Sequence, residues 1–510
     1  MFAQVKTVAF DGIEARFVDV QVQISPGAPA FMVVGLPDKA VAESRERVRA
    51  AMHAVGLALP AKHITVNLAP ADLPKEGSHY DLPIVLAMMA CMGAMPFDQL
   101  KGYCVIGELA LDGSVSMVPG ALPAAIGANS RELGLICPYD CGPEAAWAAQ
   151  DMDLLAPRHL LELINHFKGL QILTRPDPEI AIERTDLPDL CDVRGQESAR
   201  RALEVAAAGG HNLLMTGPPG SGKSMLAARL PSILPDLGAA EMLEVSMIRS
   251  LAGELAGGQV GRARPFRAPH HSASMAALVG GGVRPRPGEV ALAHMGVLFL
   301  DELPEFSSTV LDSLREPLET GHVVIARANH RISYPSRIQL VAAMNPCKCG
   351  RAFEAGFACS RGAHCAERYQ SRISGPLLDR FDLQIKVPAV MPHDLMSATE
   401  SESSKCVRER VSSARERQIE RFRRMGMEKF RTNTELSGAA LEECTRLGKE
   451  ASNLLLDACE KLRLTARGYH RTLKVARTLA DLDKEDDIRR LHIAEALSYR
   501  GEAMHKAIIA

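Results

Sequence analysis

The rhythm of apolar and polar positions changes three times along the chain. Through residues 1–168, short apolar or alternating runs such as 18–24 and 64–68 have the length and β-branched content of strands. Ala-rich stretches such as 39–55 carry helical spacing. A mixed α/β domain is expected there. One apolar stretch, 82–97, is broken by Pro83, Gly93 and Pro96. It falls short of the ~18 to 20 residues that span a bilayer and reads as a buried helix. Residues 169–190 mix proline with charge and have too little apolar periodicity for a core, which suits an exposed connection. From 191 to 388, strand-like runs at 212–216, 297–300 and 338–343 alternate with helical segments, the pattern of a parallel sheet with crossover helices. After Pro388 the strand rhythm ends, and 389–510 reads as a helical domain. No internal repeat is visible.

At about 150 residues per domain, 510 residues predict roughly three domains, in agreement with that division. A content of 47% hydrophobic and 24% charged residues excludes collagen-like and wholly disordered chains. The net charge of −2 supplies no global positive field, so any contact with nucleic acid must be local. Asp11 and Glu14 interrupt any secretory leader, and the chain is expected to be cytoplasmic, without a membrane segment. Twelve cysteines are too dilute for a disulfide scaffold.

Residues 212–224 read NLLMTGPPGSGKS, an apolar strand running into Gly217, Pro218, Pro219, Gly220, Ser221, Gly222, Lys223 and Ser224, with a helix after them. In such a phosphate loop, glycines let backbone N–H groups turn inward around phosphate oxygens. Lys223 supplies charge to the β and γ phosphates of ATP, and the Ser224 hydroxyl is an Mg²⁺ ligand. Further on, GVLFLDE delivers Asp301 and Glu302 to the C-terminal edge of the sheet. There Asp301 would hold Mg²⁺ and Glu302 would polarise the attacking water. A third strand ends in Asn345, whose amide could orient the same water.

These motifs, with SGPLLDRFDL at 374–383, resemble the AAA+ ATPases, in the branch of magnesium-chelatase subunit I and the MCM helicases. The stretch FRAPHHSASMAALVGGGVRPRPGEVALAHMGVLFLDELPEF resembles the magnesium-chelatase-like family of competence proteins, over essentially the whole chain. The resemblance implies a P-loop AAA+ core at 191–388 and a helical lid at 389–510. It also implies that Arg380 is an arginine finger presented to ATP on a neighbouring subunit, so that the active form is a homo-oligomeric ring, expected to be a hexamer with seven subunits open. TARGYHRTLKVARTLA at 465–480 matches the helix of the second sensor, with Arg467 the first candidate and Arg471 the second.

Residues 1–168 resemble the Lon-protease-like fold. Asp81 and Leu82 stand where the nucleophilic serine is needed, and the GALPAA stretch at 120–125 lacks the lysine, so peptidase chemistry is not expected.

Two segments are candidates for DNA contact. GHVVIARANHRISYP at 321–335 reads as two strands around a tip carrying Arg327, His330 and Arg331, where MCM-like helicases place a pore hairpin. GGGVRPRPGE puts Arg284 and Arg286 on a second turn. Six copies of each would make a cationic ring suited to tracking phosphates without sequence preference. His270 and His271 are open between a structural role and coupling of nucleotide state to the loops. Cys347, Cys349, Cys359 and Cys365 lie close together after Asn345, and either close a tetrahedral Zn²⁺ shell or stay reduced thiols.

The resemblance implies an ATP-driven DNA translocase or helicase that promotes branch migration in homologous recombination during natural transformation. It would act on single-stranded and branched DNA, with a recombinase as a further partner. The alternative is a magnesium-chelatase-type motor inserting metal into a porphyrin. Against it stand the need for a partner with an integrin-like domain and an N-terminal domain outside the chelatase plan.

Overall fold

The computed structural model describes residues 1–179, 187–282, 286–326, 331–350, 363–390 and 402–500. Arg284, Arg327, His330 and Cys359 lie outside the described residues.

The N-terminal domain is built on a seven-stranded mixed sheet. Its strand order is Ala30–Val34, His63–Ala69, Glu14–Ser25, Phe2–Asp11, Tyr103–Val105, Gly134–Ile136, Leu154–Leu155. Phe2–Asp11 and Glu14–Ser25 form a long antiparallel hairpin whose alternation buries Val5, Val18, Val20 and Val22. Two cores flank the sheet. One takes the helices Lys39–Ala54 and Asp81–Cys91, and the other takes Ala121–Asn129. Of the apolar stretch 82–97, the part to Cys91 is a buried helix as its composition predicts, whereas Gly93 and Pro96 fall in the turn before the short helix Phe97–Leu100.

The central domain holds a five-stranded sheet ordered Phe266–Arg267, Val297–Leu300, Gln339–Met344, Leu213–Thr216, Leu383–Lys386, with every pair parallel. Parallel strands share one C-terminal edge, so whatever follows Thr216, Leu300 and Met344 meets there. After the sheet come the helices Ser404–Arg424, Gly438–Cys444, Lys449–Leu462, Ala466–Leu482 and Arg490–Ser498. They share a core with the sheet: Val407, Val411, Leu473 and Leu479 pack with Leu203 and Val205 of the helix Glu197–Gly209. Buried polar pins reinforce the joint, among them His211 Nε2 to Thr478 Oγ1 at 2.8 Å and Gln418 Nε2 to the Ala208 carbonyl at 3.1 Å. Although burial pushes the Asp382 carboxyl up, His211 and Arg471 hold it below the usual carboxylate range.

Residues 169–179 are mostly exposed, yet they are tied to the N-terminal domain, which refines the expectation of a plain exposed connection. The Arg175 guanidinium donates to the Ala149 carbonyl at 2.5 Å, and the Glu179 carbonyl accepts from Trp147 Nε1 at 3.2 Å. The same Glu179 carbonyl accepts from the Val260 N–H at 3.2 Å, reaching the central domain. A second joint brings Ala121–Asn129 onto Ala239–Ala252, with the Gly120 N–H donating to the Ser250 carbonyl at 3.1 Å. No helix among the described residues is long and apolar enough to cross a membrane.

Candidate nucleotide and nucleic-acid sites

The phosphate loop leaves the end of Leu213–Thr216 and turns into the helix Lys223–Ala228. Gly220 and Gly222 have φ of 76° and 84°, values that a side chain would resist, and these twists bring the loop around the Lys223 ammonium. Lys223 Nζ donates to the Gly217 and Pro218 carbonyls at 2.9 and 2.8 Å and lies 3.3 Å from Asn345 Oδ1. Burial pushes this ammonium below the usual lysine range, against the pull of the Asp301 and Glu302 carboxylates. Ser224 Oγ donates to Asp301 Oδ2 at 2.6 Å. Sequence positions far apart thus converge as expected: Lys223, Ser224, Asp301 and Asn345 form one cluster at the shared strand edge.

A hydroxyl facing a carboxylate beside an ammonium is an oxygen donor set of the kind Mg²⁺ takes with a bound phosphate. Ser224 and Asp301 would hold the ion, which when bound neutralises charge on the phosphates. Glu302 takes a left-handed backbone conformation (φ 50°), uncommon away from glycine, and its N–H donates to Asp301 Oδ1 at 2.8 Å. His271 Nδ1 lies 3.7 Å from Glu302 Oε2, and its ring stands 4.0 Å from that of His270. His271 therefore neighbours the carboxylate proposed to polarise water, with the His270 ring behind it. Its PHH spelling carries no hint of that contact.

Arg380 sits at the other end of the sheet. Its carbonyl accepts from Asn212 Nδ2 at 2.9 Å, and Asn212 precedes the strand whose far end gives rise to the phosphate loop. The Arg380 guanidinium donates to Glu319 Oε2 at 2.6 Å, turned away from its own chain's Lys223 cluster. Glu319 lies in the helix Arg315–Thr320, which runs through Gly321 straight into the hairpin His322–Ala326 and Arg331–Pro335. Of the sensor candidates, Arg471 is packed against Asp382 (Nε to Oδ1 3.5 Å), whereas Arg467 is exposed one turn earlier.

The two basic turns are neighbours. Gly280–Gly281 pairs antiparallel with Arg286–Pro287, and a Cβ at Gly280 would lie 2.9 Å from Ile325 Cδ1 of the hairpin. Arg286 and Arg331 are both exposed. The turn between the first two strands of the N-terminal domain seats on this hairpin: Ile13 packs into the core that contains Val323, Ile325 and Tyr334. At Gly12 a side chain would collide with the Ser333 carbonyl. Nothing local in residues 12 or 13 announces this joint.

Cys347, Cys349 and Cys365 come together, their sulfurs all within 4.8 Å of one another. In the N-terminal domain, both oxygens of buried Asp81 are engaged, by Arg47 Nη2 at 3.0 Å and the Leu109 N–H at 3.2 Å.

Comparison with known proteins agrees with this geometry. Family models described as magnesium chelatase, subunit ChlI, and its C-terminal part match residues 189–395 and 401–500. A model described as subunit ChlI of Mg-chelatase matches residues 20–140. The chain is 45% identical over 504 residues to the uncharacterized protein YifB of Escherichia coli, covering 97% of this chain and 96% of that protein. It is 44% identical over 495 residues to competence protein ComM of Haemophilus influenzae, covering 96% and 95%. The magnesium-chelatase 38 kDa subunit of Rhodobacter capsulatus is 27% identical over 335 residues, covering 60% of this chain and 85% of that subunit. With a phosphate loop, two strand-end acids and a polar sensor on one parallel sheet, this chain belongs to the magnesium-chelatase-like ComM/YifB family of AAA+-type proteins.

Proposed function

We propose that this chain is an ATP-driven, ring-forming DNA translocase that promotes branch migration in homologous recombination, in the setting of natural transformation. Its turnover follows from the cluster around Lys223. The ammonium exchanges its loop carbonyls for phosphate oxygens of ATP, Glu302 orients the attacking water, and Asn345 fixes that water from the neighbouring strand. Arg380, facing away from its own cluster, completes the site of an adjacent subunit, and Arg467 reaches the nucleotide as second sensor.

The observation that carries the reading is the Arg380–Glu319 ion pair at 2.6 Å. It connects the group that senses a neighbour's phosphate to the helix leading, within three residues, into the basic hairpin. When Arg380 turns to the neighbour's phosphate, Glu319 loses its partner and the hairpin base is released. Phosphate contacts by Arg286, Arg331 and the arginines beside them supply grip without sequence preference. The name of the competence relative supports the setting.

Purified full-length protein, given labelled three-stranded junctions and ATP, should move the branch point, and Glu302→Gln should stop it. Vigorous ATP hydrolysis with no branch movement would contradict the reading. Metal insertion into a porphyrin is the second reading, favoured by the chelatase relative. It predicts turnover indifferent to DNA.

A further inference from the structure

We infer that Cys347, Cys349 and Cys365 bind one thiophilic divalent cation, zinc first, and that this metal is a strut for the phosphate loop. Cys347 is buried, Cys365 half-buried and Cys349 exposed, and the Cys347 and Cys349 sulfurs stand 3.0 Å apart. A zinc–sulfur bond of about 2.3 Å in a tetrahedron sets sulfur neighbours about 3.8 Å apart. The Cys347–Cys349 separation of 3.0 Å is shorter than that edge, and with all three sulfurs within 4.8 Å of one another a small adjustment seats one ion among them. A disulfide would use two of these thiols and leave the third over, whereas one soft cation takes all three as thiolates and releases their protons. The fourth position of the tetrahedron goes to water or a further donor.

What surrounds the cluster gives the metal a task. The strand Gln339–Met344 passes through Asn345, the partner of Lys223, and Pro346 into Cys347. The turn closes with the Gly350 N–H donating to the Cys347 carbonyl at 2.9 Å. Gly350, at φ 80°, lies so close to Pro219 that a side chain on it would collide with the phosphate loop. Cys365 belongs to the helix Ala363–Gln370, whose last residue donates from Gln370 Nε2 to the Pro346 carbonyl at 3.0 Å. Just beyond, Arg372 Nη1 donates to the Pro304 carbonyl at 3.1 Å, behind Glu302. A cation joining Cys365 to the Cys347–Cys349 turn would clamp the sensor strand, the phosphate loop and the Glu302 segment to one helix. The three cysteines are positioning residues for ATP binding. The inference rests on the nucleotide site and is independent of the DNA reading.

The test begins with metal analysis of the full-length protein purified under reducing conditions. About one equivalent of zinc per chain is expected, kept in Cys191→Ser and Cys406→Ser and lost in Cys349→Ser and Cys365→Ser. Cobalt added to the zinc-depleted wild-type chain should give sulfur-to-cobalt charge-transfer absorption, a readout that needs no variant to fold. Zinc-depleted protein should lose about tenfold or more in kcat/KM for ATP, mainly through KM, with restoration by zinc. Wild-type protein without bound zinc and without the cobalt signature would overturn the site. Full zinc in Cys365→Ser would overturn the ligand set. Zinc removal that leaves KM for ATP unchanged would overturn the strut. None of these measurements contains DNA, so their failure is separable from failure of the translocase reading.

Discussion

Asp81 and Asp301 are both carboxylates beside buried elements of α/β domains, and their surroundings differ in kind. Asp81 is wholly buried, and its oxygens are consumed by Arg47 and a backbone N–H. Burial raises its carboxyl while the Arg47 hydrogen bond pulls it down, and Asp81 in turn raises Arg47. That pair is closed. Asp301 meets a hydroxyl and its neighbour's N–H, beside a lysine resting on loop carbonyls that phosphate oxygens can replace. That cluster is open to a third party. The contrast teaches that a polar group's partners, more than its identity or burial, separate a structural site from a reactive one.

The largest effect is expected from Arg380→Ala. A trans arginine contributes ~10³ to 10⁵ in rate, roughly 4 to 7 kcal/mol, so steady-state hydrolysis should fall by that factor while nucleotide titration shows ATP still bound. Mixing Arg380→Ala with Lys223→Ala subunits should recover part of the turnover, because one mixed seam in each pair keeps both groups. No recovery would place Arg380 in its own chain's site.

Arg47→Met should act oppositely, since it strands the Asp81 charge. Urea unfolding should show about 3 to 5 kcal/mol lost, with ATP turnover per folded molecule retained. Collapse of turnover in the folded variant would break the comparison.

His79 sharpens the same contrast by pH. Burial moves it from an ordinary 6.5 down to about 4, against its hydrogen bond to the Val8 carbonyl at 2.8 Å. The unfolded chain therefore binds the extra proton between those values. The contribution is fully present above about pH 6.5 and lost as pH falls toward 4, about 3 kcal/mol in all. Unfolding of His79→Leu across that range should lack this slope.

The smallest effect belongs to Gly12→Ala, whose positive φ and collision with the Ser333 carbonyl should together cost about 2 kcal/mol and lower the DNA-stimulated increment of ATP hydrolysis by shifting the Ser333 strand. An unchanged increment would detach the N-terminal domain from hairpin function.

Much of the nucleotide site was legible because its residues are bound to local pattern. An apolar run ending in glycines, and another ending in Asp301 and Glu302, each state their own place on a parallel sheet, and strand-edge convergence does the rest. The buried Asp81–Cys91 helix was legible for the same reason: its apolar run is too short and too interrupted for anything else. The joints between domains were not. Gly12 against Ser333, Gly350 against Pro219, Glu319 against Arg380 and His271 against Glu302 are contacts between ordinary residues far apart in sequence. Each depends on where whole elements stop in space. Only the positive-φ glycine after Cys347–Cys349 left a trace, and it reads locally as a simple turn.

The most direct test of the central claim is the ATP hydrolysis rate of the full-length protein at fixed nucleotide, with and without forked DNA. The rate should rise clearly on adding the fork, and the rise should diminish in Arg331→Ala. An identical rate in the wild-type protein with and without DNA would contradict that claim.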